Sequence, residues 1–393
     1  MVVFLSFFLY LLSQVTIVVS INRIYGLEVA GLYFFVLAAI TPVSNFFQLG
    51  LRQYSLNKDS PILAKLLSVR IISSGALVFF AIPVYFVIVK GSDSDHATLG
   101  VKVFLMILSV KLFEGMVDIY LAAAKRQGDV LQFFSCFLFL FVSISIASWG
   151  QWLVQYESEV YFQILTAIYT FFSFWILFGL IKNFGHDRVF SKSSLVYCKE
   201  TVPGLSKIGF GLLIMGLSAS IPRILVERLG SISDVGIFSN ILYGYILGLV
   251  FVNAFAAKVF TSKLGSSLTY PLLSLLILFF VGGVLINFQG ESILFLVFGN
   301  EMSGKSEWLI FLYPSLCISL IVSFLDYRLI QLKAFSHFFA MNVLGLGSVM
   351  LASAVCFALQ VDSLVAGGIA LYSVAVIKLC CQVFLVNFIK TPR

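Results

Sequence analysis

Seven charged side chains of the long apolar runs are read as lying within the membrane: Arg70, Lys111, Glu114, Asp118, Arg223, Asp326 and Lys378. Holding a charge at the centre of a bilayer costs ~2.5–3.5 kcal/mol on insertion scales, so such residues face a bundle interior or a watered cavity. Lys111, Glu114 and Asp118 are spaced i, i+3, i+7 and share one face of a helix, which Lys125 continues. Fixed cations in a wet chamber suit a polyanionic substrate, and arginine grips phosphate with a planar fork of donors. Arg223, Lys111, Lys378 and Arg70 are therefore the candidate substrate-binding residues. Glu114 and Asp118 are like charges one turn apart, and their repulsion favours capture of a proton or cation by one of them. With Asp326 they form the candidate ion-coupling or gating set, the ion being exchanged for substrate.

Each of these residues also has a structural reading. Arg70 can snorkel to the cytoplasmic headgroups instead of lining a cavity. Lys111 and Glu114 can be a buried structural pair. Asp118 and Asp326, near the cytoplasmic ends of their helices, can be held by neighbouring cations. Lys378, at mid-span, and Arg223, in the external third, are read as cavity-lining. Gln48, Asn240, Tyr243 and Asn253 are candidate sugar-facing groups, with ordinary hydrogen bonding between helices as the alternative.

The elements that must position these residues follow from composition. The chain has 393 residues, 60% of them hydrophobic and only 11% charged, with a mean hydropathy of +1.05. A soluble domain of this length needs far more polar surface. The expected fold class is an all-α polytopic membrane protein, and the 42 Phe suit lipid-facing and packing roles. Runs of about 20 apolar residues cross the hydrocarbon, and twelve are present: 2–22, 29–51, 66–89, 98–122, 131–154, 160–181, 205–226, 235–257, 271–289, 307–328, 338–358 and 364–388. The stretch 291–300 is too short to span and reads as a surface-lying turn. The first run starts at Val2 with no basic region ahead of it and no small-residue cleavage site before Asn22, so it is expected to be a spanning helix rather than a removable signal. Pro42, Pro83, Pro222 and Pro314 interrupt spans and are candidate hinges.

The six Cys form no Cys-x-x-Cys pair and read as small core hydrophobes, and the three His are scattered. No metal, cofactor or catalytic constellation is expected.

Loop charges set the orientation. With the N-terminus in the cytoplasm, 16 of the 25 Lys and Arg fall in cytoplasmic loops and 5 on the opposite side. Positive residues accumulate inside, so both termini are expected in the cytoplasm. The net charge of +7 reflects those loops and not a nucleic-acid surface. The longest polar break, around 186–204, divides an N-terminal six-helix lobe (1–185) from a C-terminal one (205–393).

The two halves echo one another. Arg23-x-x-Gly26 followed by Gly31-Leu-Tyr-Phe is matched by Arg228-x-Gly230 followed by Gly236-Ile-Phe-Ser, and Gly31 and Gly236 are 205 residues apart. Asp118-Ile-Tyr-Leu, followed by Lys125, is matched by Asp326-Tyr-Arg-Leu, followed by Lys333, 208 residues on. A six-helix unit repeated once inserts the same way up, giving a parallel repeat about an axis along the membrane normal, with a site expected between the halves.

With these residues in hand, the chain resembles the Wzx-type O-antigen and polysaccharide repeat-unit flippases of the MOP superfamily. The stretches that carry the resemblance are Arg23-Ile-Tyr-Gly-Leu-Glu-Val-Ala-Gly-Leu-Tyr, Lys111-Leu-Phe-Glu-Gly-Met-Val-Asp118, Pro222-Arg223, Gly236-Ile-Phe-Ser and Phe251-Val-Asn-Ala-Phe255. The resemblance implies a two-lobed, MATE-like flippase in the bacterial inner membrane. Its substrate would be an undecaprenyl-pyrophosphate-linked oligosaccharide, moved by alternating access through a cationic cavity. Expected partners are membrane lipids, a coupling proton or sodium ion, and polysaccharide polymerase and chain-length proteins. A multidrug or metabolite cation antiporter of the same superfamily is the nearest rival and would prefer an acidic, aromatic chamber. A lipid II flippase would carry two further helices. A membrane glycan polymerase or ligase would carry a large external loop, and a scaffold would need no charges at mid-span.

Overall fold

In hydrocarbon every backbone N–H and C=O must be satisfied within the chain, which leaves helices as the solution for runs this apolar. The computed structural model describes residues 2–49, 51, 60–91, 94–155, 157–261, 269–331 and 335–388, and among them there is no strand. The helices are α1 (Val2–Gln48), α2 (Ser60–Gly91), α3 (Ser94–Gln127), α4 (Val130–Val154), α5 (Ser158–Phe184), the short α6 (His186–Val189), α7 (Lys192–Leu229), α8 (Ile232–Thr261), α9 (Thr269–Phe298), α10 (Ser306–Gln331), α11 (Phe335–Ala358) and α12 (Ser363–Phe388). Eleven of the twelve apolar runs fall wholly on one of them, and the run 29–51 does so up to Gln48. Among the described residues nine helices are long and apolar enough to cross a membrane.

The first two runs share α1, which breaks at Gly26 (φ 84°, ψ −178°) without a loop. Only glycine adopts that conformation at little cost. The break frees the amide of Leu27, which donates to the Glu301 carboxylate at 2.6 Å. An anion at a fresh helix start is the favoured partner. The second copy of the motif solves the same problem locally: Ser231 and Asp234 cap α8 reciprocally, the Ser231 amide donating to Asp234 Oδ2 (2.9 Å) and the Asp234 amide to Ser231 Oγ (3.2 Å).

One expectation is corrected. Residues 291–298 are not a surface-lying turn; they continue α9 to Phe298, where Gly299 at φ 92° stops the helix. Much of the polar break is helical as well, since α7 begins at Lys192. Ser194, Cys198 and Leu205 are buried at helical spacing, while Leu195, Val196 and Lys199 on other faces are exposed. Its polar composition marks a one-sided helix rather than a loop.

The chain divides into two compact units, Met1–Ile24 with Val36–Gly216, and Tyr25–Phe35 with Leu217–Arg393. The first is packed around aromatic rings: Phe133 and Phe137 lie 4.9 Å apart, and Phe113 lies 5.7 Å from Tyr169. The second has a hydrophobic core of Val252, Leu275, Leu320, Phe324 and Leu325, and another of Leu225, Val349, Cys356, Ala366 and Ala370. Within it the repeat glycines meet. A Cβ on Gly31 would fall 1.8 Å from the Ile232 carbonyl oxygen, and one on Gly236 would fall 2.4 Å from that of Leu27. Leu27 and Ile232 are separated by the same 205 residues as Gly31 and Gly236, so the contact is reciprocal. Small residues allow such backbone approach between membrane helices.

Candidate functional site

The residues singled out by charge are divided between the two units. In the first unit a cavity of about 290 Å³ is lined by Tyr10 and Gln48 of α1, Glu114 and Asp118 of α3, Phe137 of α4 and Leu212 of α7, among others. Both carboxylates face it because i and i+4 share a helix face. Glu114 uses both its oxygens: Lys111 Nζ lies 2.9 Å from Oε2, and Tyr10 donates to Oε1 at 2.7 Å. Lys111 therefore neither faces lipid nor stands as an open cation.

Arg70 does not snorkel. It is 2% exposed, and its Nη2 reaches Asp118 Oδ2 and the Gln48 carbonyl at 3.4 Å each, while Nη1 reaches the Phe47 carbonyl at 3.4 Å. Its buried Nε has no hydrogen-bond partner among the described residues. Gly115 lets the side chain lie against α3, since a Cβ there would touch Arg70 Cδ at 3.4 Å. Arg70 thus ties α2 to the end of the second α1 segment and to α3, and it holds one wall of the cavity through Asp118.

In the second unit Asp326 of α10 accepts a hydrogen bond from Gln382 Nε2 at 2.6 Å, and the same nitrogen donates to the Val322 carbonyl at 3.1 Å. One turn earlier on α12, Lys378 donates to Asn342 Oδ1 of α11 and is buried. A Cβ on Gly345 would lie 2.9 Å from Lys378 Cε, so the glycine makes room for the lysine stem. Gln382 Oε1 is buried without a hydrogen-bond partner among the described residues. Arg223 of α7 donates through Nε to Ser239 Oγ of α8 at 3.1 Å.

The structure brings Arg70, Lys111, Glu114, Asp118 and Gln48 together in the first unit, and Asp326 with Lys378 in the second. The matched aspartates of the repeat take different partners: Asp118 pairs with an arginine from the preceding helix, Asp326 with a glutamine from α12. Asn240 and Tyr243 are buried, and the side chain of Asn253 lies outside the described residues. Tyr10, Asn342 and Gln382 escaped the sequence reading. Gln382 was signalled by its place four residues from Lys378, and Asn342 by Gly345 one turn on; a lone tyrosine such as Tyr10 carries no such mark.

No protein-family model matches the chain. It is similar to a capsular polysaccharide biosynthesis protein, CapF, of Staphylococcus aureus, 25% identical over 324 residues and spanning 77% of both chains. In fold it matches an inward-facing multidrug resistance MATE family transporter of the MOP superfamily, with a TM-score of 0.71 at 12% identity, covering 96% of this chain and 94% of that one. It also matches the lipid II flippase MurJ in an inward closed conformation, with a TM-score of 0.68 at 16% identity over 98% and 88%. A third match is a MOP superfamily transporter from Pyrococcus furiosus, with a TM-score of 0.63 at 12% identity over 100% and 96%. The chain is a multi-pass, all-helical membrane protein with the MATE-like fold of MOP superfamily transporters.

Proposed function

We propose that this protein is a flippase. It would carry an undecaprenyl-pyrophosphate-linked oligosaccharide, the repeat unit of a capsule or O-antigen, across the bacterial inner membrane by alternating access. The observation that carries the reading is the set of cations inside the apolar helices, Arg70, Lys111, Arg223 and Lys378, each held by a polar group of its own unit. A sugar-pyrophosphate headgroup crosses hydrocarbon poorly because its charges and hydroxyls lose water. Cations already fixed in the protein replace part of that hydration, while the prenyl tail stays in lipid. The likeness to a capsular polysaccharide biosynthesis protein and the fold shared with a lipid II flippase support the same substrate class.

Glu114 and Asp118 would exchange a proton or sodium ion as substrate moves, because both line the same cavity and Lys111 can release Glu114 when a phosphate competes for it. That acidic lining also favours a second reading, antiport of an organic cation.

The test is flipping of a fluorescently tagged prenyl-pyrophosphate oligosaccharide in proteoliposomes, read by quenching with an impermeant reductant, alongside surface polysaccharide in cells. Arg223→Ala and Lys111→Ala are expected to lower both at least tenfold at unchanged protein level. Full export by both variants would overturn the reading, and transport of a cationic dye without flipping would replace it with antiport.

A further inference from the structure

We propose that a groove on the first unit, separate from its cavity, is a binding site for one anionic glycerophospholipid. The groove has a volume of about 600 Å³ and lies between α3 and α5. Its α3 wall is Lys102 and Leu105; its α5 wall includes Gln163, Thr166, Thr170, Phe171 and Phe174. The α5 residues fall at helical spacing on one face, and this face is mixed where a lipid-facing helix should be apolar. The amide of Gln163 is exposed, and Leu105, Phe171 and Phe174 are 44%, 61% and 53% exposed.

The polar and apolar ends are ordered along the helix. Lys102 lies near the start of α3 and Gln163 near the start of α5, the ends that the loop charges place outside. Phe174 lies eleven residues beyond Gln163, roughly 16 Å deeper at 1.5 Å per residue. A headgroup at Lys102 and Gln163 would therefore leave its acyl chain running over Phe171 and Phe174. The floor is closed where Ser109 and Thr170 share a hydrogen bond at 3.2 Å.

Charge decides the headgroup. Lys111 has Glu114 and Arg70 has Asp118, but among the described residues no carboxylate pairs with Lys102. One cation complements one phosphodiester. A zwitterionic lipid brings its own ammonium to the same place and gains less, and a pyrophosphate would leave charge unmatched.

The test is native mass spectrometry of the full-length protein titrated with phosphatidylglycerol or phosphatidylcholine. Wild type is expected to retain one phosphatidylglycerol more tightly than phosphatidylcholine. Lys102→Ala is expected to weaken that lipid about fivefold, the contribution of one surface cation, and Lys102→Arg to keep it. Ala167→Trp, which fills the groove, is expected to lose the retained lipid whatever its headgroup. Equal retention of both lipids by wild type, or unchanged phosphatidylglycerol binding in both Lys102→Ala and Ala167→Trp, would overturn the proposal. Oligosaccharide transport does not enter the readout, so the site stands or falls apart from the flippase reading.

Discussion

At the scale of single residues, the buried charges act first as structure. Arg70 and Asp118 are 3% and 15% exposed at their side chains, so removing Asp118 takes this counter-charge from the buried Arg70. Asp118→Asn is expected to destabilise the protein by roughly 3–5 kcal/mol, the cost of breaking a buried pair. Replacing both residues, Arg70→Met with Asp118→Leu, should recover most of that loss. Thermal unfolding in detergent checks both, and an unchanged midpoint in Asp118→Asn would mean that water reaches Arg70 freely. The helix-face spacing of Lys111, Glu114 and Asp118 was legible in the sequence. Whether Lys111 paired with its own helix or reached across was not, because i, i+3 spacing permits the bond without requiring it. Tyr10, from a helix over a hundred residues away, completes Glu114 and fixes its orientation.

At the scale of elements, the glycines divide into those that permit a contact and those that do not. Gly31 and Gly236 let α1 and α8 touch through backbone, and each would drive a Cβ into a carbonyl oxygen. Gly75 sits in α2 with nothing within 4 Å of its would-be Cβ. Gly31→Ala and Gly236→Ala are expected to lower stability by about 1–3 kcal/mol, as overpacking does. Gly75→Ala should leave it unchanged or raise it by up to about 1 kcal/mol through helix propensity. Melting curves of the three variants separate the cases, and equal effects would mean that the α1–α8 crossing is loose. The repeat was visible in sequence as two weakly matched motifs. Its physical meaning, a reciprocal crossing of equivalent helices, needed the fold. The helical start of α7 was missed because its polar residues dominate composition, while the buried Ser194, Cys198 and Leu205 emerge only against their neighbours.

At the scale of the whole molecule, loop charges predict that both termini lie in the cytoplasm. In a chain whose own cysteines are replaced by alanine, Ser193→Cys should react with an impermeant maleimide only after the membrane is opened, and Ser303→Cys in intact cells; the reverse pattern would invert the topology. Both serines are exposed. The sequence by itself determined that the chain is a multi-pass helical membrane protein, where its apolar runs fall and which charges lie within them. Those properties are local, since hydrocarbon rewards each run of about 20 apolar residues whatever surrounds it. Only the tertiary structure decided what each embedded charge meets: Asp118 for Arg70, Asn342 for Lys378 and Ser239 for Arg223. A charge within a membrane is satisfied by whatever neighbouring helices bring to it, and helix neighbours are chosen by packing across the fold rather than by spacing along the chain.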